Sequence, residues 1–391
     1  MTINTRECGT RMPGRRSIFL TGASGFLGQY LLSDLLARGV PVAVLVRDSR
    51  RQSASERIEQ ILDYFQQRLG RSLPRPTVLT GDLVQPNLGL TSIDRHWLGS
   101  NCDAVLHSAA CVAFRETADG EPWRTNREGL GALLNVCLDI GLRNWHHIST
   151  AFVSGCRTGD ISEQDLDAGQ TFRNCYEESK FQGEKLLRGT TGLHGTFYRP
   201  SVIVGDSVTG HTTSYTGFYR FLEMATRLSA LHARESDADL PLRLPLSGHE
   251  EWNLVTVDWV SRAIVELFSR PECHGSTYHL VSPAPVSTSL LREVGAAELG
   301  MNRVTFAGST QITHPSKLEE LFLVGIEEYR PYLEGNPRFS TRNLETALPH
   351  LPPTPITCAL LVRLIRFAVA HRWGRGPASP TLPRQISSPV P

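Results

Sequence analysis

The feature that most constrains the fold is a set of three glycines between an apolar segment and an amphipathic one. In "IFLTGASGFLGQYLLSDLL", Gly22, Gly25 and Gly28 follow a strand-like run and lead into a helix-like run. Glycine allows a sharp turn and a close approach of the backbone to a ligand. In a strand–turn–helix setting this spacing is typical of a dinucleotide-binding unit, whose helix N-terminus faces a pyrophosphate. A glycine-rich turn without a ligand is the alternative.

Apolar and amphipathic segments alternate through the first half of the chain. The apolar runs are typical of buried strands, and they are "SIFLTG", "PVAVLVR", "PTVLTGD", "DAVLHSA" and "NWHHISTAFV". The runs with helical periodicity between them are "FLGQYLLSDLLAR", "ASERIEQILDYFQQRL", "TNREGLGALLNVCLDI" and "YEESKFQGEKLL". This alternation predicts an α/β fold with a doubly wound parallel sheet of the Rossmann type.

The alternating pattern ends after "GTFYRPSVIVG", which sets the predicted domain boundaries. A Rossmann domain is expected at 17–205 and a smaller C-terminal substrate-binding lobe at 206–374, with strand and helix segments within 252–282 returning to the main domain. Residues 206–250 are first polar, then helical, then rich in Leu and Pro, and we expect them to cover the substrate. The ends, 1–16 and the Pro- and Ser-rich 375–391, are expected to be disordered tails.

Composition excludes several classes of function. A chain of 391 residues, 40% hydrophobic and 20% charged, can form one large domain and a smaller one. The formal net charge of +1 argues against a nucleic-acid partner. The eight cysteines show no metal-ligand spacing, and without a signal-peptide pattern they are expected to be free thiols of a cytoplasmic protein. Arg363 and Arg366 interrupt the apolar run 356–375, which should pack on the lobe, with membrane contact at most peripheral.

The residues at the end of the second strand indicate which dinucleotide is bound. An NAD-binding domain usually has an acidic residue about 20 residues beyond the glycines, where it holds the ribose 2′-hydroxyl. This chain has Val46 and Arg47 there, and an arginine can clamp a 2′-phosphate, with Arg57 as a second candidate clamp. The prediction is NADPH, with NADH as the alternative because Asp48 follows. Asp82 ends the third strand as a candidate partner of the adenine, or else as a turn or cap residue.

A hydroxyl, a phenol and an ammonium group form the candidate catalytic centre. The fifth strand ends in Ser149 and Thr150, at the edge of the sheet where ligands bind. Tyr176 and Lys180 share one face of the next helix. The ammonium is expected to lower the pKa of Tyr176, which exchanges a proton during hydride transfer while Thr150 bonds the developing oxyanion. Only three of the 40 Lys and Arg residues are lysines, which favours a specific need for a compact ammonium at position 180.

Taken in order, the motifs TGASGFLG, VLVR, GDL, HSAA, TNREG, STAFV, YEESK and YRPSVIVGDSVTG resemble the extended short-chain dehydrogenase/reductase superfamily, over roughly residues 17–285. Within it, "LVR", "GDLVQPNLGL", "HSAA" and "GDSVTG" are most similar to the thioester reductase and fatty acyl-CoA reductase branch. The resemblance implies catalytic roles for Thr150, Tyr176 and Lys180, help from Ser149, and support of the lysine by Asn126. The cofactor-binding residues that it implies are Gly22, Ser24, Gly25, Phe26, Leu27, Gly28, Arg47, Arg57, Asp82, Leu83, His107, Ser108, Ala109, Tyr176, Lys180, Arg199, Pro200 and Ser201.

The same resemblance implies an NADPH-dependent reductase of an acyl thioester. The acyl group would be held by an acyl-carrier protein or coenzyme A, and the product would be an aldehyde or, after a second hydride, an alcohol. The alternative is another extended short-chain reductase of secondary metabolism, acting on a ketone, a quinone-like ring or a nucleotide sugar, with NADPH or NADH. Leu, Phe and Tyr within 206–250 favour a hydrophobic acyl or ring substrate. A dinucleotide-sensing regulator is disfavoured, because such proteins usually lose the Tyr–Lys pair.

Overall fold

A computed structural model of the chain describes residues 16–232, 242–308, 312–332 and 337–375. Apart from Arg16 and Arg375, the two tails predicted from the sequence lie outside these ranges, as does part of the segment 206–250. The strands are β1 Ser17–Thr21, β2 Val42–Val46, β3 Thr77–Thr80, β4 Cys102–His107, β5 Asn144–Ile148, β6 Asp160–Ile161, β7 His194–Pro200, β8 Val202–Val204, β9 Leu242–Leu244, β10 Glu251–Trp252, β11 Leu254–Thr256, β12 Thr277–Leu280, β13 Val286–Ser287, β14 Val304–Phe306 and β15 Arg338–Phe339.

The helices alternate with these strands. They are α1 Phe26–Ala37, α2 Ala54–Leu69, α3 Ser92–Asn101, α4 Leu130–Asp139, α5 Cys175–Arg188, α6 Phe218–His232, α7 Val257–Phe268, α8 Thr288–Leu299, α9 Lys317–Ile326, α10 Arg342–Ala347 and α11 Cys358–Ala370. Single 3₁₀ turns occupy Pro86–Gly89, Ala151–Ser154, Pro271–Cys273, Arg330–Tyr332 and Arg372–Gly374, and a π-helical turn at Arg124–Gly129 leads into α4.

Seven parallel strands form the central sheet in the order β12-β7-β5-β4-β1-β2-β3. Alternate residues of each strand enter opposite hydrophobic layers: Leu20 and Val44 pack with α1, α2 and α7, whereas Phe19 and Ala43 pack with α3 and α4. Burial on both faces explains why these strands read as continuous apolar runs. The predicted α/β fold with a doubly wound parallel sheet is confirmed.

Side-chain caps fix where two of the helices that border the site begin. Ser53 and Glu56 form a capping box at the start of α2, which satisfies two otherwise free amides. The Asn174 side chain accepts a hydrogen bond from the Glu177 amide, so α5 begins at Cys175 and carries Tyr176 in its first turn.

A second core lies in the C-terminal half, where α6, α8, α9 and α11 pack together with β9, β10 and β14. Leu361 and Leu364 of α11 are fully buried in it, while Arg366 pairs with Glu298 at 2.7 Å at the surface. The leucines of α11 therefore pack on the second core, as expected. Among the described residues, no helix has the length and hydropathy needed to cross a membrane.

Candidate active site

A cavity of about 750 Å³ follows the carboxyl ends of the strands. It begins at the glycine turn between β1 and α1, passes the ends of β2, β3 and β4, and reaches the ends of β5 and β7 beside α5. Between β1 and β4 the order of the sheet reverses direction, and open α/β sheets bind their ligands at this point. The cavity brings together most of the residues predicted to bind cofactor, which are Gly22, Ser24, Gly25, Phe26, Leu27, Gly28, Arg47, Asp82, Leu83, Ser108, Ala109, Tyr176, Lys180, Pro200 and Ser201.

Two glycines of the turn are required by close backbone contacts. Gly22 has a φ of +76°, and a Cβ there would lie 2.5 Å from the Ala109 nitrogen at the end of β4. A Cβ at Gly28 would lie 1.9 Å from the Gly22 carbonyl oxygen. The turn is thus pressed between α1 and β4, and the first turn of α1 contains no acidic residue. Its amides and uncompensated helix dipole fit a pyrophosphate.

Two arginines and one acidic residue surround the end of β2. The Arg57 guanidinium donates to the Arg47 carbonyl at 2.6 Å and to Ser24 Oγ at 3.0 Å, which places it beside the glycine turn although it does not line the cavity. The Arg47 side chain is 69% exposed and lies 3.5 Å from Asp82. Asp48 accepts a hydrogen bond from the Ala54 amide at 2.7 Å and is absent from the cavity wall.

The candidate catalytic side chains meet at the inner end of the cavity. Lys180 Nζ donates to the Ile148 carbonyl at 2.5 Å, and burial lowers the pKa of Lys180 to about 8. Desolvation raises the pKa of Tyr176 to about 12, and a hydrogen bond with Thr150 offsets part of that rise. The expected net lowering of the Tyr176 pKa is not seen, because desolvation outweighs the groups that lower it. A phenol with this pKa stays protonated at neutral pH.

Three predicted residues lie elsewhere than expected. Arg199 is fully buried in an ion pair with Glu184 at 2.7 Å and does not line the cavity. The next residue, Pro200, does line it, because successive side chains of β7 point to opposite faces of the sheet. His107 is also outside the cavity wall. It is buried against Thr21 at 2.7 Å, and burial together with the charge of Lys180 lowers its pKa to about 3.

Asn126 is the third of these residues. Its side chain accepts from the Cys111 amide and donates to the Cys111 carbonyl, both at 2.8 Å, and it also donates to Ser179 Oγ at 2.9 Å. These bonds fix the loop after β4 to helix α5 and do not reach Lys180. Ser149 lines the cavity, but its hydroxyl donates to Glu184 at 2.6 Å.

Sequence reasoning missed an aromatic wall beside Tyr176, which Phe114, Tyr329 and Tyr332 form. Phe114 stacks on Tyr332 at a ring distance of 5.7 Å and lies 6.5 Å from the Tyr176 ring, and Tyr329 lies 5.4 Å from Phe114. Phe152 and Trp252 also line the cavity. From the segment predicted to cover the substrate, the described residues 206–232 and 242–250 contribute Ser214, Thr216 and Gly217, which are small or polar. No local motif marks the tyrosines, which are distant in sequence from the residues they contact.

A family model described as "Male sterility protein", an NAD-binding family, matches residues 20–264, which is more than half of the chain. The chain belongs to this family. It is 27% identical over 305 residues to the nonribosomal peptide synthetase asaC of Aspergillus flavus, covering 73% of this chain and 28% of that protein. It is 26% identical over 283 residues to the L-2-aminoadipate reductase large subunit of Penicillium chrysogenum, covering 66% of this chain and 19% of that one. The chain thus spans less than a third of these relatives.

Among solved structures, the fold matches the terminal R domain from the myxalamid PKS-NRPS biosynthetic pathway, with a TM-score of 0.75, 25% identity and 94% of both chains covered. The resemblance to the thioester reductase branch of the extended short-chain dehydrogenases is confirmed, and so is the prediction of an NAD(P)-dependent oxidoreductase family with a nicotinamide cofactor.

Proposed function

We propose that this chain is an NADPH-dependent reductase of an acyl thioester, presented by a carrier protein or coenzyme A. The observation that carries the proposal is the cavity itself, which joins a glycine cradle at one end to Thr150, Tyr176 and Lys180 at the other. The aromatic wall beside Tyr176 suits an apolar acyl chain or ring.

The glycine turn, Ser24 and the residues at the end of β4 would hold the dinucleotide. Bound there, it would supply the hydride that turns the thioester carbonyl into a hemithioacetal, which collapses to an aldehyde and a free thiol. Thr150 holds the carbonyl oxygen by its hydroxyl, and Tyr176, protonated at neutral pH, donates the proton that this oxygen needs. Lys180, charged below about pH 8, stabilises negative charge near Tyr176.

The surroundings of β2 support NADPH rather than NADH. Arg47 is largely exposed at the cavity edge, and Arg57 is held beside Ser24 by two hydrogen bonds. Both guanidinium groups can meet a 2′-phosphate. Asp48, the residue that favoured NADH, is occupied by the amide at the start of α2 and stays outside the cavity wall.

The relatives support presentation of the substrate as a thioester. One is named a nonribosomal peptide synthetase and another an aminoadipate reductase, and the matching R domain comes from a PKS-NRPS pathway. We propose that the acyl group reaches this site on a carrier protein. Reduction of a ketone, a quinone-like ring or a nucleotide sugar is the alternative that the assay must separate.

The test is oxidation of NADPH by the purified chain in the presence of acyl carrier thioesters, acyl-CoA, ketones, quinones and nucleotide sugars. We expect turnover with thioesters, release of free thiol in equal amount to the aldehyde formed, and faster reaction with NADPH than with NADH. The control is Tyr176→Phe, which removes the proton donor and little contact area. Turnover of ketones or nucleotide sugars with no thiol release from any thioester would overturn the proposal.

A further inference from the structure

Helix α5 carries four ionisable side chains at four-residue intervals, and the last two have no part in the chemistry proposed above. Tyr176, Lys180, Glu184 and Arg188 lie along one face of the helix. Glu184 is fully buried, one turn beyond Lys180, and does not line the cavity. Arg199 on β7 is equally buried against it. A buried ion pair beside a catalytic lysine calls for a functional explanation.

The Glu184 carboxylate is saturated with hydrogen bonds. Its Oε1 accepts from Arg199 Nη2 at 2.7 Å and from Arg188 at 2.7 and 3.0 Å. Its Oε2 accepts from Arg199 Nε at 3.1 Å and from Ser149 Oγ at 2.6 Å. Arg199 holds the pKa of this carboxyl at about 2 in spite of its burial, with further help from Arg188 and Ser149. Glu184 is therefore a permanent anion at neutral pH.

Three consecutive residues at the end of β5 contact this helix face. The Ile148 carbonyl accepts from Lys180, the Ser149 hydroxyl donates to Glu184, and Thr150 bonds Tyr176. The register between the strand end and the helix is thus fixed at three successive points. Glu184 supplies the middle one along the strand, at Ser149, and Arg199 ties Glu184 to the neighbouring strand β7.

We infer that Glu184, held by Arg199, is a positioning residue that fixes the β5 strand end against α5 and places a carboxylate one helical turn from Lys180. The inference rests on the proposed role of Lys180 in the reductase. It also gives Arg199 a place in the active site that does not depend on contact with cofactor.

Among the charged groups around Lys180, Glu184 is the one that raises the lysine pKa against the effect of burial. His107 on β4 and His147 on β5 face the lysine, and burial together with the Lys180 charge lowers the pKa of both, so they stay neutral. Burial lowers the pKa of Lys180, and Glu184 raises it. Removing the carboxylate would leave the guanidinium groups of Arg188 and Arg199 without their anion and would push the proton off Lys180.

Lys180 can be titrated directly because the chain has only three lysines, the others being Lys185 and Lys317. We would measure acylation of each lysine by acetic anhydride as a function of pH, with mass spectrometry of the peptides, in the absence of substrate and cofactor. In Glu184→Gln the apparent pKa of Lys180 should fall by roughly one pH unit or more. The alkaline limb of turnover, expected near pH 8 in the wild type, should move down with it.

The matched control is Glu178→Gln, a partly exposed glutamate of the same helix, which should leave the Lys180 pKa unchanged. An unchanged pKa in folded Glu184→Gln would overturn the inference. If that variant does not fold, the double variant Glu184→Gln/Arg199→Met removes both charges of the Glu184–Arg199 ion pair. A folded double variant with a lowered Lys180 pKa supports the inference, and an unchanged pKa overturns it.

Failure of both variants to fold would overturn the inference in favour of a purely structural ion pair. The labelling needs no substrate, so a chain that reduces no thioester would refute the proposed function and leave the result for Glu184 standing.

Discussion

The surroundings of Lys180 leave little room for substitution. It is buried, and its ammonium donates to the Ile148 carbonyl at 2.5 Å. Lys185, one turn further on, is 54% exposed and pairs with Asp167 at the surface. We expect Lys180→Arg to lower turnover by a factor of about 10² to 10⁴, because the wider guanidinium cannot occupy this site in the same way. Lys185→Arg, its matched control, should be nearly silent in the same steady-state assay. A loss of only a few-fold for Lys180→Arg would mean that position 180 needs no more than a positive charge.

At the same scale, we expect Arg47 and Arg57 to determine the choice between NADPH and NADH. Replacing either residue by alanine should weaken NADPH binding by roughly tenfold or more and leave NADH binding nearly unchanged, since only NADPH carries the 2′-phosphate. Titration of each variant with both dinucleotides, followed by nucleotide fluorescence, measures this difference. Arg71, an exposed arginine that bonds the Ala37 carbonyl at the far end of α1 from the glycine turn, provides the control Arg71→Ala. Equal losses for NADPH and NADH would show that the two arginines do not recognise the phosphate.

At the scale of elements, the tightest backbone contact among the three glycines at the junction of β1 and α1 is the one at Gly28. A Cβ at Gly28 would meet the Gly22 carbonyl oxygen at 1.9 Å, whereas a Cβ at Gly25 would lie 3.2 Å from the same atom. Gly28→Ala should therefore lower the free energy of unfolding by about 1–3 kcal/mol, while Gly25→Ala should cost under about 1 kcal/mol. Chemical denaturation of the two variants beside the wild type tests the difference. Similar values would mean that α1 shifts easily and that the cradle is not rigid.

The elements also show how far a sequence can locate this site. Glycine spacing and the four-residue separation of Tyr176 and Lys180 are local patterns, and the structure places all these residues along one cavity. The family resemblance implies a cofactor contact for Arg199 together with Pro200 and Ser201, but alternation along β7 turns Arg199 away from the cavity and onto Glu184. The aromatic wall has no local sequence signal, since Phe114 and Tyr332 meet only after folding.

At the scale of the whole molecule, helix α11 completes the core of the C-terminal half. Leu364 is fully buried there and contacts the segment at Gly205, whereas Val369 of the same helix is 46% exposed. Leu364→Ala should reduce the free energy of unfolding by about 2–5 kcal/mol, and Val369→Ala should change it by less than about 1 kcal/mol. Thermal and urea unfolding of both variants provide the measurement. Equal, small effects would show that α11 contributes little to the fold.

The hydrogen bonds of the loop after β4 have a consequence for how this site can be altered. Asn126 binds both peptide groups of Cys111, and the Cys175 amide donates to the Phe114 carbonyl at 3.0 Å, so the loop is attached to helix α5 through its main chain. The side chains of Val112, Ala113 and Phe114 take no part in those bonds, yet they form part of the cavity wall. Substrate preference can therefore diverge at these three positions, in evolution or by engineering, while Tyr176 keeps its place.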